Sequence, residues 1–563
     1  MPDISVTIDG ITGSVPAGIT VLEACRRLGI EVPTLCDHPA IKPIGACRIC
    51  LVEIEKQRAL QPACAFPVSD GMVVHTRSEK VIDARRFVLQ LLFSERNHFC
   101  MFCQMSGSCE LQELAYEYGL DHWEYDRAFP RLAVDASRKY FVMDHNRCIL
   151  CRRCVRACDE LVGNATLGVK RRGSATMIIA DMDVPFGESS CVSCGTCLQV
   201  CPTGALGDRA SAYMGATDEI TRVKSTCTGC SVGCGVELIV RDGRVIRVEG
   251  DWDAPPSNGL LCEVGRFHLQ HEKRQRALKP LVRDGDDWVE ASWDDALAQV
   301  AKAFSDAAGK TCTVVSGMVT NETADAIAKG LPGDKRQMNA VLLDDSAGLE
   351  AMDDADLFVV VGTDLTVDHQ VAGFAVKRGV RHRGARLILV CDGENGLAPW
   401  AFKQVGLDEG ASVLDIVSGA ESPVIVYDAA AATVARSMAE AVPAATCVCF
   451  TDGANTKGLA AAGISEAFQA DGSSAYLLVA GETVSPPDDV AKALDAAPFV
   501  AVQASFVEPW TDVADVILPM PTMWEKSGTI TTADGAQRQV QAGVKLDGPS
   551  AVEVIERLGA LLA

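Results

Sequence analysis

The sequence predicts a multi-domain α+β protein whose two halves are organised by different signals. Cysteine organises the first: of 24 cysteines, 20 fall before residue 263, and only Cys312, Cys391, Cys447 and Cys449 follow. Periodicity organises the second. From residue 276 onward, Ala-rich helical stretches alternate with short apolar runs at 313–316, 357–361, 387–390, 424–427, 476–480 and 499–503, the pattern of a parallel α/β sheet. A chain of 563 residues has length for roughly three to five domains.

Charge and leader signals narrow the class. The net charge of −23 is unevenly spread, with 34 acidic and 29 basic residues through residue 272 and 41 and 23 after it. That sign disfavours nucleic acid as a partner. The first residues, MPDISVTIDG, carry neither a charged n-region nor an apolar h-region, and no run of 18 apolar residues occurs. A reducing cytoplasm with metal-bound thiolates is the expectation.

Along the chain, Ile4, Val6 and Ile8 lead to the Asp9-Gly10 turn and a second strand ending at Val15; a helix then runs from Thr20 to its stop at Gly29. Next come Cys36, Cys47, Cys50 and Cys64, a C-x10-C-x2-C run with a fourth cysteine, suited to one [2Fe–2S] cluster. An amphipathic helix over 78–97 delivers the chain to His98, Cys100, Cys103 and Cys109. Three thiolates leave a cubane one ligand short. Neutral imidazole makes His98 the expected fourth, against Glu95, Asn97 or a distant cysteine.

Cys148, Cys151, Cys154 and Cys158, then Cys191, Cys194, Cys197 and Cys201 before Pro202, repeat C-x2-C-x2-C-x3-C, the spacing for two [4Fe–4S] clusters. By precedent the fourth cysteine of each run crosses over. Cys201 is thus expected with Cys148, Cys151 and Cys154, and Cys158 with Cys191, Cys194 and Cys197. Zinc ribbons use two C-x2-C pairs instead. The apolar insert at 161–187 is expected to cover the clusters. Arg152, Arg153, Arg156, Lys170, Arg171 and Arg172 either offset cluster charge or form a solvated face.

The fifth set is Cys227, Cys230, Cys234 and Cys262; a hairpin at 236–240 and 245–248, turning at Asp242-Gly243, returns the last cysteine to the first three. Nineteen cysteines and His98 thus supply twenty ligands for one [2Fe–2S] and four [4Fe–4S] clusters, leaving Cys25 as a buried thiol.

These motifs carry a resemblance. The first set resembles plant-type and adrenodoxin-like ferredoxins, with the longer first loop of complex I large iron–sulfur subunits. The tract NHFCMFCQMSGSCELQ is similar to the His/Cys3 segment of the large iron–sulfur subunit of NADH dehydrogenase (complex I) and of the iron–sulfur subunits of NAD(P)-linked hydrogenases. Complex I proteins usually place the histidine where this chain has Arg96; the H-x-C spacing looks more like the hydrogenase and formate dehydrogenase relatives. Cys227 to Cys262 resembles the cluster domain of molybdopterin oxidoreductases. LKPLVRDGDDWVEASWDDAL, ADLFVVVGTDLT and ADVILPMPTMWEKSGTITTADGAQRQ are similar to the molybdopterin-oxidoreductase-like domain of complex I large subunits.

The resemblance implies a [2Fe–2S] ferredoxin-like β-grasp at 1–77, a His/Cys3 domain at 78–138, a two-cluster ferredoxin domain at 139–218, a cluster domain at 219–275 and a molybdopterin-oxidoreductase-like domain at 276–563. Molybdopterin is not expected. Glu263-Val264-Gly265-Arg266 replaces the lysine that often follows the last cysteine, Cys312 and Cys391 lack an adjacent histidine, and the chain stops soon after EKSGT, before the family's final β-barrel. His369, His382 and Arg383 read as packing or surface residues, and Gly362-Thr363-Asp364 as a strand-end loop. No G-x-G-x-x-G follows a strand, so NAD(P) belongs to a partner. The expected role is a one-electron relay in an oxidoreductase complex. Its partners are flavin-containing NAD(P)H dehydrogenase subunits with further clusters and a second redox catalytic subunit. The alternatives are a catalytic molybdopterin-dependent formate dehydrogenase-like subunit and the complex I large iron–sulfur subunit proper.

Overall fold

The computed structural model describes residues 2–214, 219–331, 334–343 and 346–563, in two compact units, Met1–Ile220 and Thr221–Ala563. The expected boundary at 218 lies outside the described residues.

The first unit begins with a five-stranded sheet in the order Ile11–Pro16, Asp3–Ile8, Met72–His75, Leu51–Ile54, Gln61–Pro62. The first two strands form a hairpin in full register, and Asp3–Ile8 pairs parallel to Met72–His75. Helix Val21–Arg27 is started by Thr20, whose hydroxyl accepts from the Glu23 N–H at 3.2 Å, and Gly29 ends it with φ 71°. Val6, Ile8, Val21, Leu22, Val52 and Val74 form the core under this β-grasp, each fully buried side chain contributing about 1.5–3 kcal/mol. Cys25 lies in the same core, where burial and then the Asp9 carboxylate push its thiol up to about 12.

Helix Glu79–Glu95 follows, and its Leu89 and Phe93 pack with Leu35, Ile49, Leu111, Leu114 and Ile149. This cluster of side chains ties together segments that carry cysteines of the first three sets. An antiparallel sheet of Leu206–Asp208, Phe141–Asp144 and Val134–Asp135 frames the C-x2-C repeats. The insert after Leu161 is a small hairpin, Leu167–Lys170 with Met177–Ala180.

In the second unit, Thr221–Thr226, Gly235–Arg241 and Arg244–Gly250 make an antiparallel sheet. The remainder is built on two larger sheets. One has seven strands in the order Asp287–Glu290, Leu281–Asp284, Val516–Pro519, Phe499–Ala504, Ala475–Gly481, Thr311–Val315, Lys335–Met338, parallel except for an antiparallel hairpin at the first edge. Period-two alternation serves both faces. Val315, Leu477, Val479 and Leu518 meet helices Trp293–Asp306, Asn321–Gly330 and Ala551–Leu562, while Val314, Leu478, Val500 and Val502 meet Asp488–Asp495. The other sheet is wholly parallel: Lys403–Val405, Arg386–Val390, Leu357–Val361, Pro423–Asp428, Thr446–Phe450. Its order turns to opposite sides on either flank of Leu357–Val361. The chain thus leaves the seven-stranded sheet after Met338, builds the five-stranded one, and returns at Ala475.

Candidate metal centres

The backbone around the cysteines is held in a conformation that side chains normally avoid. Arg48 (φ 62°), Leu150 (φ 55°), Arg152 (φ 58°) and Ser193 (φ 54°) are left-handed without being glycine, and Gly195 (φ 70°) matches Arg152 in the repeat. Each non-glycine residue so held costs about 1–2 kcal/mol, and strain of this kind gathers at functional sites. The effect is local: Leu150 N–H donates to Cys148 Sγ and Ser193 N–H to Cys191 Sγ, both at 3.4 Å.

Cys36, Cys47, Cys50 and Cys64 are drawn together by the loop and by strands Leu51–Ile54 and Gln61–Pro62. Cys47 N–H donates to Cys36 Sγ at 3.4 Å, and Ala63 N–H to the Cys50 carbonyl at 3.0 Å. Contacts with Cys47 and Cys64 hold Cys36 down, and the contact with Cys64 lowers Cys50; the same contacts, with burial, push Cys47 and Cys64 up.

Cys100, Cys103, Cys109 and His98 line one cavity. The His98 Nε2 is buried there with no hydrogen-bond partner among the described residues. Burial, then the fields of Arg147 and Arg96, pull its imidazole down to about 4, so it is neutral and able to donate a lone pair. Arg96, standing where complex I proteins usually place the histidine, is itself buried and gives its guanidinium to the carbonyls of His145 (2.7 Å) and Thr176 (2.9 Å). Neither Glu95 nor Asn97 is among the lining residues, nor is a cysteine from another set.

Cys158 lines a cavity with Cys191, Cys194 and Cys197. After burial, the field of Cys201 is among the influences raising Cys148, Cys151 and Cys154. Thr166, Leu167 and Phe186, from the hairpin insert and its flanks, also line the Cys158 cavity. Among the basic residues, Arg153 and Arg156 are buried, whereas Arg152, Arg171 and Arg172 are exposed and Lys170 pairs with Asp183. The basic set is therefore split, two members inside and the rest outside the core.

In the second unit, Cys227 N–H donates to the Cys234 carbonyl at 2.9 Å. Cys262 begins helix Glu263–Phe267, its sulfur accepting from Gly265 N–H at 3.3 Å. Burial first, then mutual repulsion, raises Cys230 and Cys234 well above the ordinary range. The turn that delivers Cys262 depends on Gly259 (φ 85°), where a Cβ would stand 2.0 Å from the Trp252 ring. Cys312 and Cys391 are buried against Gln337 and Gln404.

Among the described residues no group of three His, Cys, Asp or Glu converges as the ligands of a single ion do. Ligands of one zinc lie about 3.8 Å apart for 2.3 Å bonds in a tetrahedron. Thiolates on a cluster bind different irons and need no such convergence.

Arg153 adds a testable link. Its side chain, 3 % exposed, holds Glu110 at 2.7 and 2.9 Å and reaches the Val200 carbonyl at 3.4 Å, joining the helix after Cys109 to the residue before Cys201. Glu110→Gln is expected to cost about 1–2 kcal/mol, a buried-pair value discounted because Glu110 is 45 % exposed. A denaturation midpoint that does not move would mean that the Val200 carbonyl suffices.

Five family models match. They are a 2Fe-2S iron–sulfur cluster binding domain at 2–79, the NADH-ubiquinone oxidoreductase-G iron–sulfur binding region at 85–123, the ferredoxin-like domain of NADH-quinone oxidoreductase subunit 3 at 139–207, a molybdopterin oxidoreductase Fe4S4 domain at 220–274 and molybdopterin oxidoreductase at 276–425. The chain is similar to complex I large iron–sulfur subunits.

Among its relatives, an NADH-quinone oxidoreductase subunit of Rhizobium meliloti is 32 % identical over 69 % of the chain and 48 % of its own length. NADPH-Fe(3+) oxidoreductase subunit alpha of Geobacter sulfurreducens shows the same three figures. NADH-quinone oxidoreductase subunit 3 of Thermus thermophilus is 28 % identical over 94 % of the chain and 79 % of its own length. The chain thus spans about half the length of the first two relatives. A chain of an NAD+-reducing [NiFe]-hydrogenase in the H2-reduced state is 36 % identical over 38 % of this chain and 90 % of its own, with a TM-score of 0.36. No helix among the described residues is long and apolar enough to cross a membrane.

Proposed function

We propose that the chain relays single electrons within a multi-subunit oxidoreductase, between a flavin-containing NAD(P)H dehydrogenase partner and a second redox catalytic subunit. The observation that carries this is the orphaned Nε2 of His98, a residue that lines one cavity with three thiols and would supply the fourth donor of that set. One [2Fe–2S] cluster on Cys36, Cys47, Cys50 and Cys64 and four [4Fe–4S] clusters on the other sets supply one-electron chemistry when bound. His98, Cys100, Cys103 and Cys109 hold the second site; Cys148, Cys151, Cys154 and Cys201 the third. Cys191, Cys194, Cys197 and Cys158 hold the fourth, and Cys227, Cys230, Cys234 and Cys262 the fifth. The protein's own work is to bury these donors, point N–H groups at their sulfurs and exclude water with Leu167 and Phe186. The domain ranges expected from the sequence divide the sites among four domains, in a cytoplasmic compartment where thiols stay reduced.

The molybdopterin-type half carries no pterin on this reading. Ligands of an open parallel sheet lie beyond the carboxyl ends of its strands. Here those ends bear Asp364, Asp428 and Asp452, and after burial their fields help raise Asp368. Such carboxylates repel a pyrophosphate. Metal analysis of the anaerobically purified complex, corrected for its partners' clusters, tests both statements. About 18 irons per chain, from one two-iron and four four-iron sites, with no molybdenum or tungsten, is the expected result. Stoichiometric molybdenum or tungsten that stays with the stripped chain would overturn it.

A further inference from the structure

Two arginines stand at the ends of helix Arg153–Arg156, between Cys151 and Cys158, and both are buried, 2 % and 8 % exposed. Their surroundings differ in one respect. Arg153 has a carboxylate, Glu110. Arg156 has none within ion-pairing distance among the described residues. Its Nη1 donates to the Lys42 carbonyl and its Nη2 to those of Cys36 and, at 3.5 Å, Cys151; its Nε is buried with no acceptor. Glu160, the nearby acid, takes the Lys42 N–H at 2.8 Å instead.

Carbonyl oxygens satisfy N–H groups but do not neutralise a cation. A buried, unpaired guanidinium is strongly unfavourable unless an anion stands close by. Arg156 touches the backbone of one cysteine from the first set and one from the third, Cys36 and Cys151. An iron–sulfur centre held by four thiolates is anionic and gains one negative charge on reduction, and net charge is one of the levers on its potential.

We infer that Arg156 is a positioning residue for electron transfer: its fixed charge and its carbonyl contacts couple the Cys36 set to the Cys148 set and hold up the potentials of both. This rests on the cluster assignment proposed above. One electron leaves the reduced two-iron centre and arrives on the oxidised four-iron centre. No bond forms or breaks and no proton moves, and the flavin of the NAD(P)H-fed partner replaces the electron. Arginine suits the task because its guanidinium stays charged when buried and its fork spans several acceptors.

The test is a potentiometric titration of the full chain with its clusters, poised with dithionite and followed by electron paramagnetic resonance, in Arg156→Gln, Arg156→Lys and the exposed control Arg58→Gln. In Arg156→Gln both midpoints should fall by at least tenfold in the one-electron equilibrium, about 59 mV, while Arg58→Gln leaves them in place. Arg156→Lys, whose ammonium stays protonated beside two anionic centres and so keeps the charge while losing most of the fork, should hold both within about threefold of the parent. Unmoved midpoints in an Arg156→Gln protein with both centres present would overturn the inference. So would an Arg156→Lys midpoint that falls tenfold, which decides the matter even if the glutamine variant fails to assemble. Absence of a two-iron signal from the unsubstituted protein would instead overturn the cluster assignment itself.

Discussion

Cys197→Ala should cost the chain one four-iron centre, roughly four of about 18 irons, and reduce electron flow through the complex by at least about tenfold. Cys197 is buried and shares its cavity with Cys158, Cys191 and Cys194. Alanine leaves three donors, and nothing else lining that cavity is a cysteine or histidine. The crossover makes the expected result specific: the centre that disappears should be the one that Cys158→Ala also removes, while Cys201→Ala should remove its twin. Cys25→Ala is the matched control, because Cys25 lies in the β-grasp core and belongs to none of the five donor sets. Unchanged iron content with unchanged turnover in Cys197→Ala would sink the assignment.

The largest effect on folding is expected at Gly259. Alanine there must adopt a left-handed backbone, about 1–2 kcal/mol. Its Cβ must also displace the Trp252 ring 2.0 Å away, an overpacking cost of about 1–3 kcal/mol. The second unit should therefore lose about 2–5 kcal/mol in Gly259→Ala, with loss of the iron held at Cys262. Gly243 is the comparison. It is equally left-handed, φ 71°, but a Cβ there meets nothing within 4 Å, so Gly243→Ala should cost only the backbone term. Equal thermal shifts in the two variants would mean that Trp252 moves aside freely.

Much of this architecture is written in local patterns. The apolar run at 357–361 becomes strand Leu357–Val361 to the residue, and the Asp242-Gly243 turn joins Gly235–Arg241 to Arg244–Gly250. Strands with charged or polar text escape such a reading. Thr221–Thr226 (TRVKST) and the edge strand Lys335–Met338 (KRQM) are paired because a neighbour offers a ladder, not because their own residues are apolar. The division of the second half into two sheets is equally invisible, since the parallel strands of both carry similar apolar patterns and pairing is decided at long range. At the candidate centres, cysteine spacing is the signal that the sequence carries. The left-handed Leu150, Arg152 and Ser193 leave no trace, because glycine is the usual signal for that conformation. Burial of Arg153 and Arg156 is likewise illegible, since charged residues are ordinarily exposed.

The interrupted seven-stranded sheet has a consequence for synthesis. Strand Thr311–Val315 pairs with Lys335–Met338 on one side, but its other neighbour is Ala475–Gly481. The ribosome must first make residues 339–474, which at ~5–20 residues per second takes on the order of ten seconds. During that interval a strand destined to be buried along its whole length has an open hydrogen-bonding edge. Such an edge invites pairing with another nascent chain. The five-stranded sheet, whose strands all lie between residues 357 and 450, can close in the meantime. Recovery of this protein should therefore depend on how long that first edge is shielded, making yield sensitive to chaperone supply and translation speed.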